Sequence, residues 1–243
     1  FFQREKVPRK IWELTAAVNS DKMTREEAFA ECNKDSELKA FIQDQWRKRE
    51  QGEWVYVYGK PMYLTGTFWF YLNYYILDTG RYPDFRTTDL DEFQWWKFCV
   101  EDNQSAYGGI NFTRRRVGKT YKAGCIQLEY ITRTENAKTG IQSKSEPDAG
   151  EFFRKAIVYQ FKRLPFFFKP SYEKVGKMKK EISLIDDDNQ KSFESFMDFQ
   201  SSTDTAYDGQ KVHRYVLDEC GKMQNPVDPI KIWDKVKPCL EEE

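Results

Sequence analysis

Hydrophobic and polar positions alternate along this chain with two different periods, and the changes of period mark its elements. In residues 1–50 the spacing is helical. Thr24-Arg-Glu-Glu27 fits a capping box ahead of Ala28 and Phe29, and Ser36 is placed to cap a helix through Leu38, Phe41, Ile42 and Trp46 that Gly52 ends. The period then drops to two. Trp54–Tyr58, a Gly59-Lys60-Pro61 turn and Met62–Leu64 predict a hairpin. Thr67–Leu77, aromatic nearly all round, predicts a buried helix, and Asp89-Leu-Asp-Glu92 starts another that runs through Phe98. Gly109–Thr113 alternates like a short strand, and Tyr121–Thr134 is helical, with Ala123, Ile126, Leu128 and Ile131 as its apolar positions.

The second half continues in the same way. Ala137–Gln142 predicts a strand, and Ser145-Glu-Pro-Asp148 caps a helix through Phe152, Ile157 and Phe161 that Pro165 closes. Lys169–Lys180, with five lysines, reads as a surface segment. Glu181–Ile185 and Phe193–Phe199 predict strands flanking the acidic run Asp186-Asp187-Asp188. A solvated hairpin tip is favoured there over a metal site for nuclease chemistry, because no other clustered ligand supports one. Arg214-Tyr-Val-Leu217 is an apolar strand that ends in Asp218-Glu219. The order predicts a small helical subdomain over 1–52 and an α/β domain over 53–243, with a mainly parallel sheet flanked by helices.

Composition narrows the class. The chain has 243 residues, 40% hydrophobic and 16% aromatic, which supports a real core. Its 39 basic and 39 acidic residues balance, so any nucleic-acid surface must be local. Five scattered cysteines without a CxxC pair fit a reducing compartment better than a disulfide framework or a zinc site. A single histidine, His213, excludes a multi-histidine metal centre and reads as structural. The apolar run from Met62 to Leu77 falls short of the roughly 20 residues that span a bilayer, which predicts a soluble protein. The chain opens on Phe1-Phe2 without an initiator methionine and closes on three glutamates, as an excised piece of a longer protein would.

The candidate chemistry lies in two stretches. Gly118-Lys119-Thr120 is the phosphate-gripping half of a P-loop. A glycine lets the backbone approach a phosphate, the lysine reaches the β/γ-phosphates, and the threonine hydroxyl binds Mg2+. The usual first glycine is replaced by Thr113. A strand before and a helix after are the setting that such a loop needs. Asp218-Glu219, about a hundred residues on at a strand end, fits a Walker B element. Asp218 would hold Mg2+ through water and Glu219 would orient and deprotonate the attacking water. Upstream, Gln94 carries the donor and acceptor that an adenine edge requires, though a plain surface glutamine fits its spacing equally. Together these predict a P-loop NTPase of the ASCE/RecA-like type that uses ATP and Mg2+.

These residues resemble the large terminase subunits of tailed bacteriophages. In that family the first P-loop glycine is often replaced within an arginine-rich loop, and Thr113-Arg114-Arg115-Arg116-Val117-Gly118-Lys119-Thr120 is similar. The resemblance implies that Arg115, three residues before Gly118, assists hydrolysis in cis. It also implies that Gln94, in Leu90-Asp-Glu-Phe-Gln94, contacts adenine. Leu64–Asn73, Gly140–Lys144 and Ala206-Tyr-Asp-Gly209 look like the same family, so the likeness covers most of residues 50–225.

The family's coupling motif, on the strand after Walker B, and its nuclease domain have no counterpart before Glu243. The resemblance thus implies a DNA-packaging motor domain without nuclease activity. Its partners would be double-stranded DNA, the portal protein and the small terminase subunit. It would form a homo-oligomeric ring at the procapsid portal, in the host cytoplasm and away from membranes, and be a monomer in isolation. Two rivals from other classes are a helicase-like nucleic-acid-dependent ATPase and a non-hydrolytic P-loop scaffold. Strand-separation motifs for the first are missing, and Lys119, Thr120, Asp218 and Glu219 argue against the second.

Overall fold

A computed structural model describes residues 2–114, 117–172, 178–184, 193–201, 203–223 and 228–240. The chain divides into two compact units, Phe1–Ala106 with Arg163–Pro170, and Tyr107–Lys162 with Ser171–Glu243. The expected boundary after residue 52 falls inside the first of them.

The first unit opens with three helices, α1 (Arg9–Asn19), α2 (Arg25–Asn33) and α3 (Ser36–Gln51). The capping box forms as the sequence predicts. Thr24 accepts from the Glu27 N–H at 3.1 Å, and Glu27 Oε2 accepts from the Thr24 N–H at 2.8 Å. The cap of α3 is Asp35 rather than Ser36. Its carboxylate reaches the N–H groups of both Glu37 and Leu38, at 2.9 and 3.2 Å, and Ser36 becomes the first helical residue.

Strands β1 (Glu53–Val57) and β2 (Lys60–Leu64) form the hairpin, pairing antiparallel from Glu53↔Leu64 to Val57↔Lys60. Its loop is only Tyr58-Gly59, both at positive φ (52° and 74°), one residue earlier than the expected turn. Helix α4 (Gly66–Asn73) has every residue buried but stops four residues short of the expectation. The Asn73 side chain donates back to the Trp69 carbonyl at 2.8 Å and accepts from the Glu5 N–H at 2.9 Å, which competes with a further helical turn. Helix α5 (Thr87–Trp95) begins two residues before Asp89 and runs into a π-helical turn, Trp96–Glu101. The core is aromatic. Phe166–Phe168 return to this unit and meet Phe29, Phe41, Trp46, Trp69, Phe70 and Tyr74 edge-on.

The second unit is α/β. Helix α6 (Lys119–Arg133) leads to β3 (Lys138–Gln142). Helix α7 (Glu146–Phe153) follows, with Ser145 accepting from the Asp148 N–H, and continues through a π turn (Arg154–Val158) into α8 (Tyr159–Phe161). Strands β4 (Glu181–Leu184), β5 (Ser195–Phe199) and β6 (Arg214–Leu217) complete a sheet of order β4-β5-β3-β6. β3 runs parallel to both β5 and β6, and β4 is antiparallel at the edge, so the sheet is mixed but mostly parallel. Helices α6 and α7 pack against β3 and β5. Helix α9 (Pro229–Val236), which the sequence reading did not anticipate, is anchored by Ile232 and Val236 against Tyr207 and Val212. Among the described residues no helix is long and apolar enough to cross a membrane.

The expected strand over Gly109–Thr113 does not form. Residues 106–114 are irregular, with Ile110 76% and Phe112 90% exposed. An extended segment becomes a strand only through a ladder partner, and none pairs with it among the described residues.

Candidate functional site

Two segments far apart in sequence meet at the carboxyl ends of the parallel strands. At one side, Gly118 stands as the N-cap of α6 with φ 79° and ψ 18°, a left-handed conformation that glycine adopts without cost. Gly118 has no side chain with which to cap α6, and the positive end of the helix dipole lies at this end of the helix. Lys119 and Thr120 are the first two residues of the helix, which begins two residues before the Tyr121 start expected.

At the other side, the β3–β6 ladder runs one step past the strand, where the Asp218 N–H donates to the Gln142 carbonyl at 2.9 Å. This presents the Asp218 carboxylate at the strand tip. Lys119 Nζ meets Asp218 Oδ1 at 2.8 Å, across 99 positions of sequence. The next residue, Glu219, turns into the left-handed region at φ 54°, which is uncommon for a non-glycine residue and redirects its side chain.

Glu219 is held by two ammonium groups. Lys144 Nζ lies 2.7 Å from Oε2, and Lys222 donates to Oε1. The Lys144 and Lys222 hydrogen bonds together draw the Glu219 carboxyl down to about 2, against a smaller opposing effect of burial. Lys144 also reaches Asp148 Oδ1 at 3.1 Å. Hydrogen bonding to Glu219 and then Asp148 raises the Lys144 ammonium. The Ser145 hydrogen bond, ahead of that of Lys144, lowers Asp148. Lys144 is the site residue that sequence reasoning did not assign. Its signal was positional, because it lies two residues past the end of β3, whose Gln142 pairs with Leu217 beside Asp218.

The floor of this region is braced from below. The Gln142 amide donates to the carbonyls of Ser201 and Thr203 at 2.7 and 2.9 Å, and its oxygen accepts from the Tyr215 hydroxyl. The Tyr207 ring lies flat enough on β3 that a Cβ on Gly140 would sit 2.5 Å from its Cζ. The Tyr207 hydroxyl accepts from the Ile141 N–H at 3.0 Å and donates to Asp198 Oδ1 at 2.8 Å. The Ala206–Gly209 stretch thus acts through packing and a backbone anchor.

The remaining predicted residues fall elsewhere. Thr113 and Arg114 are exposed in the irregular segment, and Val117 is half-buried just before Gly118. Arg115 and Arg116 lie outside the described residues, as do Asp186-Asp187-Asp188. Gln94 belongs to the first unit, where its side-chain amide donates to the Tyr63 carbonyl at 2.9 Å. One N–H and the oxygen of that amide remain in addition to this bond. His213 is structural. Its Nδ1 accepts from the Lys138 N–H at 2.9 Å, and its own N–H donates to the Lys138 carbonyl at 2.8 Å, extending the β3–β6 ladder.

The donor set suits a polyphosphate with a divalent cation. Lys119 and the α6 amides supply positive charge for an anion, whereas Thr120 and Asp218 offer the hard oxygens that Mg2+ takes. Among the described residues no group of three or more His, Cys, Asp or Glu side chains is placed to hold a metal ion. Comparison of the sequence with protein-family models and with curated proteins finds no match.

Proposed function

We propose that the second unit is the ATP-hydrolysing domain of a DNA-packaging motor of the large-terminase type. The observation that carries the nucleotide reading is the 2.8 Å contact of Lys119 with Asp218 at the start of α6. A lysine and an aspartate 99 positions apart in the sequence meet there, and this pairing supports a site for a phosphate and its metal. The packaging role rests on the resemblance of the surrounding motifs, from Leu64–Asn73 to Ala206–Gly209.

In this reading Lys119 exchanges its aspartate for the β/γ-phosphates. Thr120 and Asp218 would hold Mg2+, which supplies charge neutralisation across the phosphates when bound. Asp218, relieved of its lysine, would be available to hold the cation. Glu219 acts as the base toward water, and to do so it must leave Lys144 and Lys222, since a carboxylate that two ammonium groups hold is a poor proton acceptor. Arg115 would assist charge development at the phosphates, as the resemblance implies.

The test is calorimetric titration of ATP with Mg2+ into the native chain and into Lys119→Ala. The alanine variant should lose most of its affinity, because a charge-assisted contact with the phosphates is gone. Undiminished affinity would make the loop a coincidence of sequence.

A further inference from the structure

One fully buried amide lies directly beneath the pair of Lys144 and Glu219. Gln142 is the last residue of β3, and none of it is exposed to solvent. Residues of a strand alternate between its two faces, and in the parallel register Gly140 stands beside Tyr215 and Gln142 beside Leu217. These four residues share one face of the sheet. Two positions further along the two strands come Lys144 and Glu219, which meet at 2.7 Å. Gln142 is therefore the rung below the carboxylate proposed as the base.

Gln142 holds the ends of three strands at once. Its amide nitrogen donates to the Ser201 and Thr203 carbonyls at 2.7 and 2.9 Å, and its side-chain oxygen accepts from the Tyr215 hydroxyl. Its backbone carbonyl accepts from the Asp218 N–H at 2.9 Å, so β6 is tied to it on either side of Leu217. Among the described residues the last ladder bond between β3 and β5 runs from the Gln200 N–H to the Ile141 carbonyl, at 3.1 Å. Beyond that point the Gln142 amide replaces the ladder. A buried amide of this kind adds little net stability, because its desolvation costs about what its hydrogen bonds return. What the bonds add is direction, since a side chain with three fixed partners admits one arrangement of the strand ends.

We propose that Gln142 is a positioning residue for hydrolysis, which fixes the ends of β3 and β6 so that Lys144 and Glu219 leave them within reach of each other. The inference rests on the nucleotide reading above, with Glu219 as its base. Gln142 itself touches no reacting atom and acts through Glu219. Gln142→Met keeps the length and bulk of the side chain without its bonds, and Tyr215→Phe removes only the hydroxyl from the same contact.

In single-turnover assays with saturating ATP and Mg2+, Gln142→Met should hydrolyse about 10–100-fold more slowly than the native chain at unchanged ATP affinity, the usual effect of a small misplacement. Tyr215→Phe should lose a smaller part. In a Glu219→Gln background Gln142→Met should cost nothing further, because a residue that acts only through the base has nothing left to position. A purely structural role would slow both backgrounds alike. Undiminished hydrolysis by folded Gln142→Met, or an equal loss in the two backgrounds, overturns the proposal. A second measurement needs no turnover. Lys144 is held by Glu219 and Asp148, so brief acetylation read by mass spectrometry should modify it faster, relative to the other lysines, in Gln142→Met than in the native chain. Unchanged labelling of Lys144 rejects the positioning role. Absence of ATP turnover in the native chain would instead sink the nucleotide reading, and the labelling then decides alone whether Gln142 positions the pair.

Discussion

Glu219 concentrates the residue-scale argument, because its backbone, its charge and its proposed chemistry pull in different directions. Its left-handed turn aims the carboxylate at Lys144 and Lys222, and those two ammonium groups hold it near a pKa of about 2. The folded value lies below the ordinary 4.5, so the ionised carboxylate favours the folded state. That contribution is whole above about pH 4.5 and is lost as the pH falls toward 2. The melting temperatures of the native chain and Glu219→Gln should therefore differ most near neutrality and converge as the pH drops below 4.5. In single-turnover measurements the same variant should retain ATP binding while hydrolysis falls about 10²–10⁴-fold, the usual worth of a positioned base. Equal hydrolysis by the two proteins would remove Glu219 from the chemistry.

At the scale of elements, the sheet of the second unit depends on how closely Tyr207 lies on β3. A Cβ at Gly140 would meet that ring at 2.5 Å, and the ring is anchored by the Ile141 N–H and by Asp198. Burial raises the Asp198 carboxyl, and the Tyr207 hydroxyl offsets part of that rise. Gly140→Ala must push the ring off the strand and should cost about 1–3 kcal/mol in urea unfolding, the usual effect of overpacking. The loss should appear without a change in the unfolding slope. Stability equal to the native value would mean that the ring moves freely. The helix elements carry their own local logic. Asp228 accepts from the Ile230 N–H at 2.9 Å with Pro229 at the first helical position, a start signal for α9 that was present in the sequence.

At the scale of the whole molecule, the chain is two compact units, and the nucleotide chemistry proposed belongs to the second. A ligand that binds only the folded state stabilises it by about 2.7 kcal/mol at a hundredfold excess over its Kd. ATP with Mg2+ should accordingly raise the unfolding temperature of the native chain, and should leave Lys119→Ala unmoved. A rise of equal size in both proteins would place the ligand away from α6.

Much of this architecture was legible in the sequence because its causes are local. The Thr24 capping box, the Ser145 cap, the period-two hairpin and the apolar run ending in Asp218-Glu219 each specify an element through neighbours a few residues away. Residue types alone also nominated Lys119 and Asp218. Other features needed the tertiary structure, since they depend on partners distant in sequence. Whether Gly109–Thr113 is a strand turns on a ladder partner, which local alternation cannot supply. The π turns, the end of α4 and the choice of Asp35 over Ser36 follow from competing hydrogen bonds whose balance packing decides. Lys144 joined the site only when β3 and β6 paired in parallel and brought it within 2.7 Å of Glu219, 75 positions away.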